Sequence, residues 1–159
     1  MRAIDPARER PTDGKGLTAG HYVGAAHEHY AAYIFQRMGY MVLWPSPQQS
    51  VIDFVIHKGT EFKRVQVKTA TWNRGSPPYA YLQCRTRLTN LYQDKRPDEL
   101  YDIMCCIWDH NVWIIPAEAI DSSNIALMND NPAPRKKPNR WDQYRITPAP
   151  TIERQITVH

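Results

Sequence analysis

Residues 51–70, V-I-D-F-V-I-H-K-G-T-E-F-K-R-V-Q-V-K-T-A, constrain the fold of this chain more than any other stretch. Apolar residues alternate on both sides of Gly59-Thr60, the pattern of two strands joined by a tight turn. Glycine at the first central position suits a type II′ hairpin. With Lys58 opposite Glu61, Asp53 faces Gln66, Ile52 faces Val67 and Phe54 faces Val65. Side chains alternate at period two, so Asp53, Gln66 and Lys68 fall on one face. Ile52, Phe54, Ile56, Val65 and Val67 are expected to share the other, apolar face, and a one-residue slip would break both sets. Two oxygen-bearing side chains and an ammonium therefore converge near one strand end, a candidate metal and phosphate site. A half-buried hairpin with a solvated polar face carries the same pattern, so the choice turns on what precedes it.

What precedes it reads as a helix from Thr18 to Met38, with Thr18 as N-cap and Gly39 just past the C-terminus. Val23, Ala26, Tyr30, Ile34 and Met38 recur at spacings of three and four and predict the packed face. Gly24 costs about 1 kcal/mol against alanine inside a helix, so close packing is expected there. Glu28 lies four residues further on, off the centre of the apolar stripe. A short strand at 40–44 is ended by Pro45, and a Pro-rich loop leads into the hairpin.

Beyond Ala70, T-W-N-R-G-S-P-P reads as a loop whose Trp72 and Arg74 are candidates to touch a ligand. A strand is expected at 79–86 with Arg85 and Arg87 near its end, then a polar segment with a short helix around Leu91. Residues 101–108 are almost continuously apolar, as for a strand buried on both faces. Asp109-His110-Asn111 turns the chain into a partner strand at 112–115, and Pro116 opens a short helix. The loop 129–140 is rich in Pro and basic residues, and Arg135, Lys136, Lys137 and Arg140 are candidates for phosphate contact. A last strand is expected at 144–146.

One domain over 18–159, behind a loose N-terminal arm at 1–17, accounts for the 159 residues. The net charge of +4 admits a polyanionic partner without requiring one. No apolar run approaches the roughly 20 residues that span a bilayer, and the N-terminus lacks a signal-peptide stretch. Cys84, Cys105 and Cys106 have no zinc spacing, so buried thiols in a reducing, cytoplasmic setting are expected.

The order of these features (a helix with G-x-x-x-E, the G-Y pair, a Pro loop, the Asp53 strand, then V-Q-V-K-T-A) resembles the PD-(D/E)XK nuclease superfamily. The resemblance covers residues 18–86 and extends more weakly to W-I-I-P-A-E. It implies an α/β fold, a central mixed sheet flanked by helices like that of restriction endonucleases, with Glu28, Asp53, Gln66 and Lys68 as the catalytic set. Two departures stand out: Ile52 replaces the proline of the motif, and Gln66 occupies its second acid position. Mg²⁺ suits such a set because it takes oxygen ligands and keeps several waters. Asp53 is the expected main ligand, with Gln66 Oε1 and the Val67 carbonyl beside it and Glu28 acting through water or a second ion. Mn²⁺ is expected to substitute.

The resemblance thus implies a Mg²⁺-dependent endonuclease acting on DNA. A homing-type enzyme, a Holliday-junction resolvase and a non-catalytic DNA-binding protein of the same fold all fit the pattern. Cutting both strands with one site per chain implies a homodimer or higher oligomer. His21 and His27 share the helix of Glu28 and are further candidates to face DNA.

Overall fold

The hairpin forms in the register that its apolar pattern requires. The computed structural model describes residues 19–46, 51–73, 79–86, 92, 94–131, 137 and 139–146. Strands β2 (Phe54–Lys58) and β3 (Glu61–Thr69) pair antiparallel with Lys58 opposite Glu61 and Phe54 opposite Val65. Gly59 takes φ +63°, the left-handed value that the first central position of a type II′ turn needs.

Around this hairpin a six-stranded sheet assembles in the order β1-β2-β3-β6-β7-β9. The added strands are β1 (Met41–Leu43), β6 (Ile103–Trp108), β7 (Asn111–Pro116) and β9 (Arg145–Ile146). The β3–β6 pairing is parallel and its neighbours are antiparallel, so the sheet is mixed as expected. Residues 103–107 of β6 show why the sequence reads as a continuous apolar run, since Met104, Cys105, Cys106 and Ile107 are all fully buried. All three cysteines are free and buried. No described helix is long and apolar enough to cross a membrane.

The connection from β3 to β6 supplies two strands of a second, three-stranded sheet in the order β4-β5-β8, and the third comes from the chain after β7. It comprises β4 (Thr71–Asn73), β5 (Tyr81–Arg85) and β8 (Asn124–Asn129). The sequence reading left β4 as loop and did not anticipate β8. N-I-A-L-M-N does alternate, with Ile125 and Leu127 buried, and it lies a short way past a 3₁₀ turn at Ala117–Ala119. The short helix expected around Leu91 falls outside the described residues; a single turn, α2, is found at Pro97–Leu100.

Helix α1 (Ala19–Arg37) closes the other side of the large sheet. Its C-terminus ends as predicted: Gly39 adopts φ +87°, Tyr40 N–H donates to the Phe35 carbonyl, and Gly39 N–H donates to that of Gln36. The expected packed face, however, is rotated. Ala31, Ala32, Ile34 and Phe35 are buried, whereas Val23 and Met38 are 45% and 41% exposed. Small alanines let the helix approach the sheet, and apolar residues lie almost all round it, so periodicity alone did not select the stripe. Among the described residues no atom lies within 4 Å of where a side chain at Gly24 would begin, so the close packing expected there is not found with them.

Three layers result. Phe54, Ile56, Val65 and Val67 pack with Ala31 and Phe35 under α1. Met104, Cys106, Trp113 and Ile115 pack with Leu82, Cys84, Ile125 and Leu127 under the small sheet. Ile52 packs into this second cluster rather than sharing the face of Phe54, because the chain bends at 51–53 before β2 begins.

One polar tie crosses this frame. The Arg64 guanidinium donates to both Asp102 carboxylate oxygens, at 3.1 and 2.9 Å, and Arg64 N–H donates to the same group at 2.7 Å. These bonds hold the Asp102 carboxyl below the usual carboxylate range. Both side chains are a little over a third exposed, which screens the pair, so Asp102→Ala should destabilise by only about 1 kcal/mol. Because the folded-state pKa is lowered, that contribution is present above about pH 4 and is lost as pH falls through the folded value. Denaturant titrations at pH 7 and pH 3 should therefore show the mutant's deficit at the first and its shrinkage at the second.

Candidate active site

Asp53 sits one residue before β2, where the chain bends, and its N–H donates to the Val65 carbonyl at 2.9 Å. This places its carboxylate against the C-terminal half of β3. Oδ2 accepts one hydrogen bond from Val67 N–H and one from Gln66 Nε2, each 2.6 Å long. Gln66 Nε2 also lies 3.3 Å from the Val67 carbonyl oxygen. Two acceptors around one nitrogen assign the amide orientation: its NH₂, not Oε1, points at Asp53.

Two features of this geometry bear on the expected role of Gln66. Gln66 is not on a solvated face but is 6% exposed, because the small sheet covers this side of β3. It also presents its nitrogen, whereas an oxygen was expected there as a ligand. In effect the amide hydrogens stand where a cation would sit, between the Asp53 carboxylate and the Val67 carbonyl.

Lys68 follows on the same face, half-buried, and has no hydrogen-bond or ion-pair partner among the described residues. Its charge lies near enough to oppose the rise that burial imposes on the Asp53 pKa. Glu28 arrives from α1. Burial pushes its carboxyl up first, and the Asp53 charge pushes it up further, so the two acids are electrostatically coupled. A contact that the sequence reading did not identify sets this meeting. His27 Nδ1 and Thr69 Oγ1 are hydrogen-bonded at 2.8 Å, tying the residue before Glu28 to the residue after Lys68. Burial keeps the His27 pKa below its ordinary value.

The four predicted catalytic residues are thus brought to one end of the hairpin. Among the described residues no group of three or more His, Cys, Asp or Glu side chains is placed to hold a metal. The donor set nonetheless fits a hard divalent cation. Glu28 and Asp53 supply coupled carboxylates and Val67 a carbonyl, and rotating the Gln66 amide would add a fourth oxygen.

The candidate DNA contacts divide. Arg85 and Lys137 are exposed. Trp72 is half-buried and packs edge-on against Trp108, with ring centroids 5.5 Å apart, so its indole belongs to the core between the sheets. Arg140 is engaged by both Asp121 carboxylate oxygens and lies 4.2 Å over the Trp141 ring, which leaves its fork occupied. Arg74, Arg87, Arg135 and Lys136 lie outside the described residues, as do Thr18 and the arm at 1–17.

Protein 5.3 of Escherichia phage T7 is 36% identical over 94 residues, which span 59% of this chain and 77% of the phage protein. The solved structure of a bacterial homing endonuclease, I-Ssp6803I, superposes with a TM-score of 0.64 at 19% identity, covering 79% of this chain and 87% of that one. At that identity the likeness speaks for the fold, which is of the restriction-endonuclease type. A PD-(D/E)XK endonuclease family matches residues 19–147, a span that takes in nearly the whole described region. On that match the chain belongs to the PD-(D/E)XK endonuclease family.

Proposed function

We propose that this protein is a Mg²⁺-dependent DNA endonuclease of the homing type, with Mn²⁺ able to replace Mg²⁺. The observation that carries the reading is the convergence of Asp53, Gln66, Lys68 and Glu28 at one end of the hairpin in a chain of this family. The neighbour of the same fold, itself a homing endonuclease, favours that type over the others.

Asp53 and the Val67 carbonyl would hold the metal, with Glu28 as a further carboxylate and Gln66 Oε1 available after amide rotation. When bound, the ion supplies an acidified water and charge neutralisation at the phosphate. Lys68, without an anionic partner of its own among the described residues, is placed to pair with a phosphate oxygen and stabilise charge gathering there. The backbone N–H of Val67 and the Gln66 amide hold Asp53 in place before the metal arrives. Cleaving both strands of a duplex with one site per chain takes two copies of the protein.

A cleavage assay with Mg²⁺ on linear duplex libraries, supercoiled plasmid and a synthetic four-way junction tests the type. Cutting at a defined duplex site is expected. Cutting confined to the junction would replace this reading with a resolvase, and tight binding without cutting in Mg²⁺ or Mn²⁺ would replace it with a non-catalytic binder.

DNA binding should also weaken steeply with salt. Each phosphate contact contributes a log–log slope of about 0.9 for duplex DNA. Neutralising Arg135, Lys136 and Lys137 together is expected to lower that slope in binding isotherms taken between low and moderate salt. An unchanged slope would remove that loop from the interface.

A further inference from the structure

The small sheet has two unlike faces. One carries Trp72, Leu82, Cys84, Ile125 and Leu127 into the core. The other points away from the large sheet and carries Thr71, Tyr81, Gln83, Arg85 and Asn124. In the pairing register Thr71 lies opposite Gln83, and Arg85 opposite Asn124, so these side chains form one contiguous patch. None of the three strands contains an acid. Gln83, Arg85 and Asn124 make no side-chain hydrogen bond with another described residue. An outer face made of amide, hydroxyl and guanidinium groups, with no carboxylate, contributes nothing to the core and complements a polyanion that also offers donors and acceptors.

Its position relative to the active site narrows the partner further. Strand β4 begins three residues after Lys68, at most about 10 Å along the chain. The sheet that carries this face therefore begins close along the chain to the residue proposed to hold the phosphate. Strand β5 is the central strand of this sheet, so Gln83 and Arg85 stand on its outer face with β4 on one side and β8 on the other. Gln83 and Arg85 are the side-chain types that make bidentate contacts to adenine and to guanine, respectively. They stand two residues apart on one face, about 6.8 Å, which matches two base-pair steps.

We infer that the outer face of the small sheet, centred on β5, is the sequence-reading surface of this protein, meeting base edges in the major groove with Gln83 and Arg85 as base-specifying residues. The inference rests on the DNA-endonuclease reading and adds to it the surface that chooses the site. It assigns adenine to Gln83 and guanine to Arg85, about two base pairs apart, and makes Asn124 a flanking contact.

The test is selection from a randomised duplex library by the full chain in Ca²⁺, comparing wild type with Gln83→Ala, Gln83→Arg and Arg85→Ala. Each alanine variant should flatten the preference at one base position, by roughly 10- to 100-fold in discrimination, and leave the other positions intact. The two flattened positions should lie about two base pairs apart, and Gln83→Arg should shift its position toward guanine. Thermal melting should be close to wild type for all three, because the side chains lie on an outward face. Binding with unchanged preferences overturns the inference and leaves the nuclease reading standing. So does an Arg85→Ala loss that is uniform across sequences and lowers the salt slope by about 0.9, the mark of a phosphate contact. Absence of any DNA binding by the wild type would overturn both.

Discussion

Asp53→Ala and Lys68→Ala should both abolish cleavage, yet differ in stability. Lys68 has no polar partner among the described residues, so its truncation should remove activity with unfolding free energy nearly unchanged. Asp53 Oδ2 accepts two hydrogen bonds at 2.6 Å, from a buried amide and a backbone N–H. Its loss strands both donors, a cost of about 1–3 kcal/mol each where water cannot reach them. Turnover in Mg²⁺ should fall by at least about a thousandfold for either variant, the upper end of what one electrostatic group supplies. Single-turnover cleavage and urea titration of the same preparations check both halves. Equal stability of the two variants would contradict the hydrogen-bonded role of Asp53, and wild-type turnover in either would remove it from the catalytic set.

The second large effect concerns Gln66. Without metal, its NH₂ satisfies the Asp53 carboxylate and the Val67 carbonyl. Metal binding to free protein must break those bonds and turn the amide, which should weaken affinity until a DNA phosphate helps complete the site. Metal and DNA are then expected to bind with positive coupling. Gln66→Glu replaces the donor with a second carboxylate against Asp53 in a covered position. The metal-free variant should be less stable than wild type by about 1–3 kcal/mol, from lost hydrogen bonds and like-charge repulsion. It should bind Ca²⁺ more tightly without DNA, and Ca²⁺ should restore more of its stability than of the wild type's. Calorimetric titration of Ca²⁺ into both proteins, with and without duplex, measures this directly. Identical affinity in the two free proteins would mean that Gln66 plays no part in holding the ion.

The site was legible in the sequence because it depends on local rules. Period-two alternation and a glycine turn fix which residues of 51–70 face one another, so Asp53, Gln66 and Lys68 could be grouped before any fold was known. The same rules do not say what lies over that face. Whether Gln66 is solvated or buried depends on β4, β5 and β8, which are short and far apart in the chain. Nothing near Gln66 announces them. Strand β4 in particular is only three residues long and was hidden by the Gly and Pro that follow it. The helix face was misplaced for a related reason: an apolar residue at nearly every turn position leaves the choice to packing, and Ala31 and Ala32 win it by being small. Arg140 shows the opposite limit, since a basic residue in a basic loop looks available until Asp121 is found beside it.

The most direct measurement is conversion of DNA by wild type and Lys68→Ala, purified identically, each in Mg²⁺ and in EDTA. Supercoiled plasmid carrying a site selected from the duplex library serves as substrate. Cleavage by wild type in Mg²⁺ alone, absent in EDTA and absent from Lys68→Ala under both conditions, is the result this account predicts. Equal cleavage by the two proteins, or persistence of wild-type cleavage in EDTA, would contradict it.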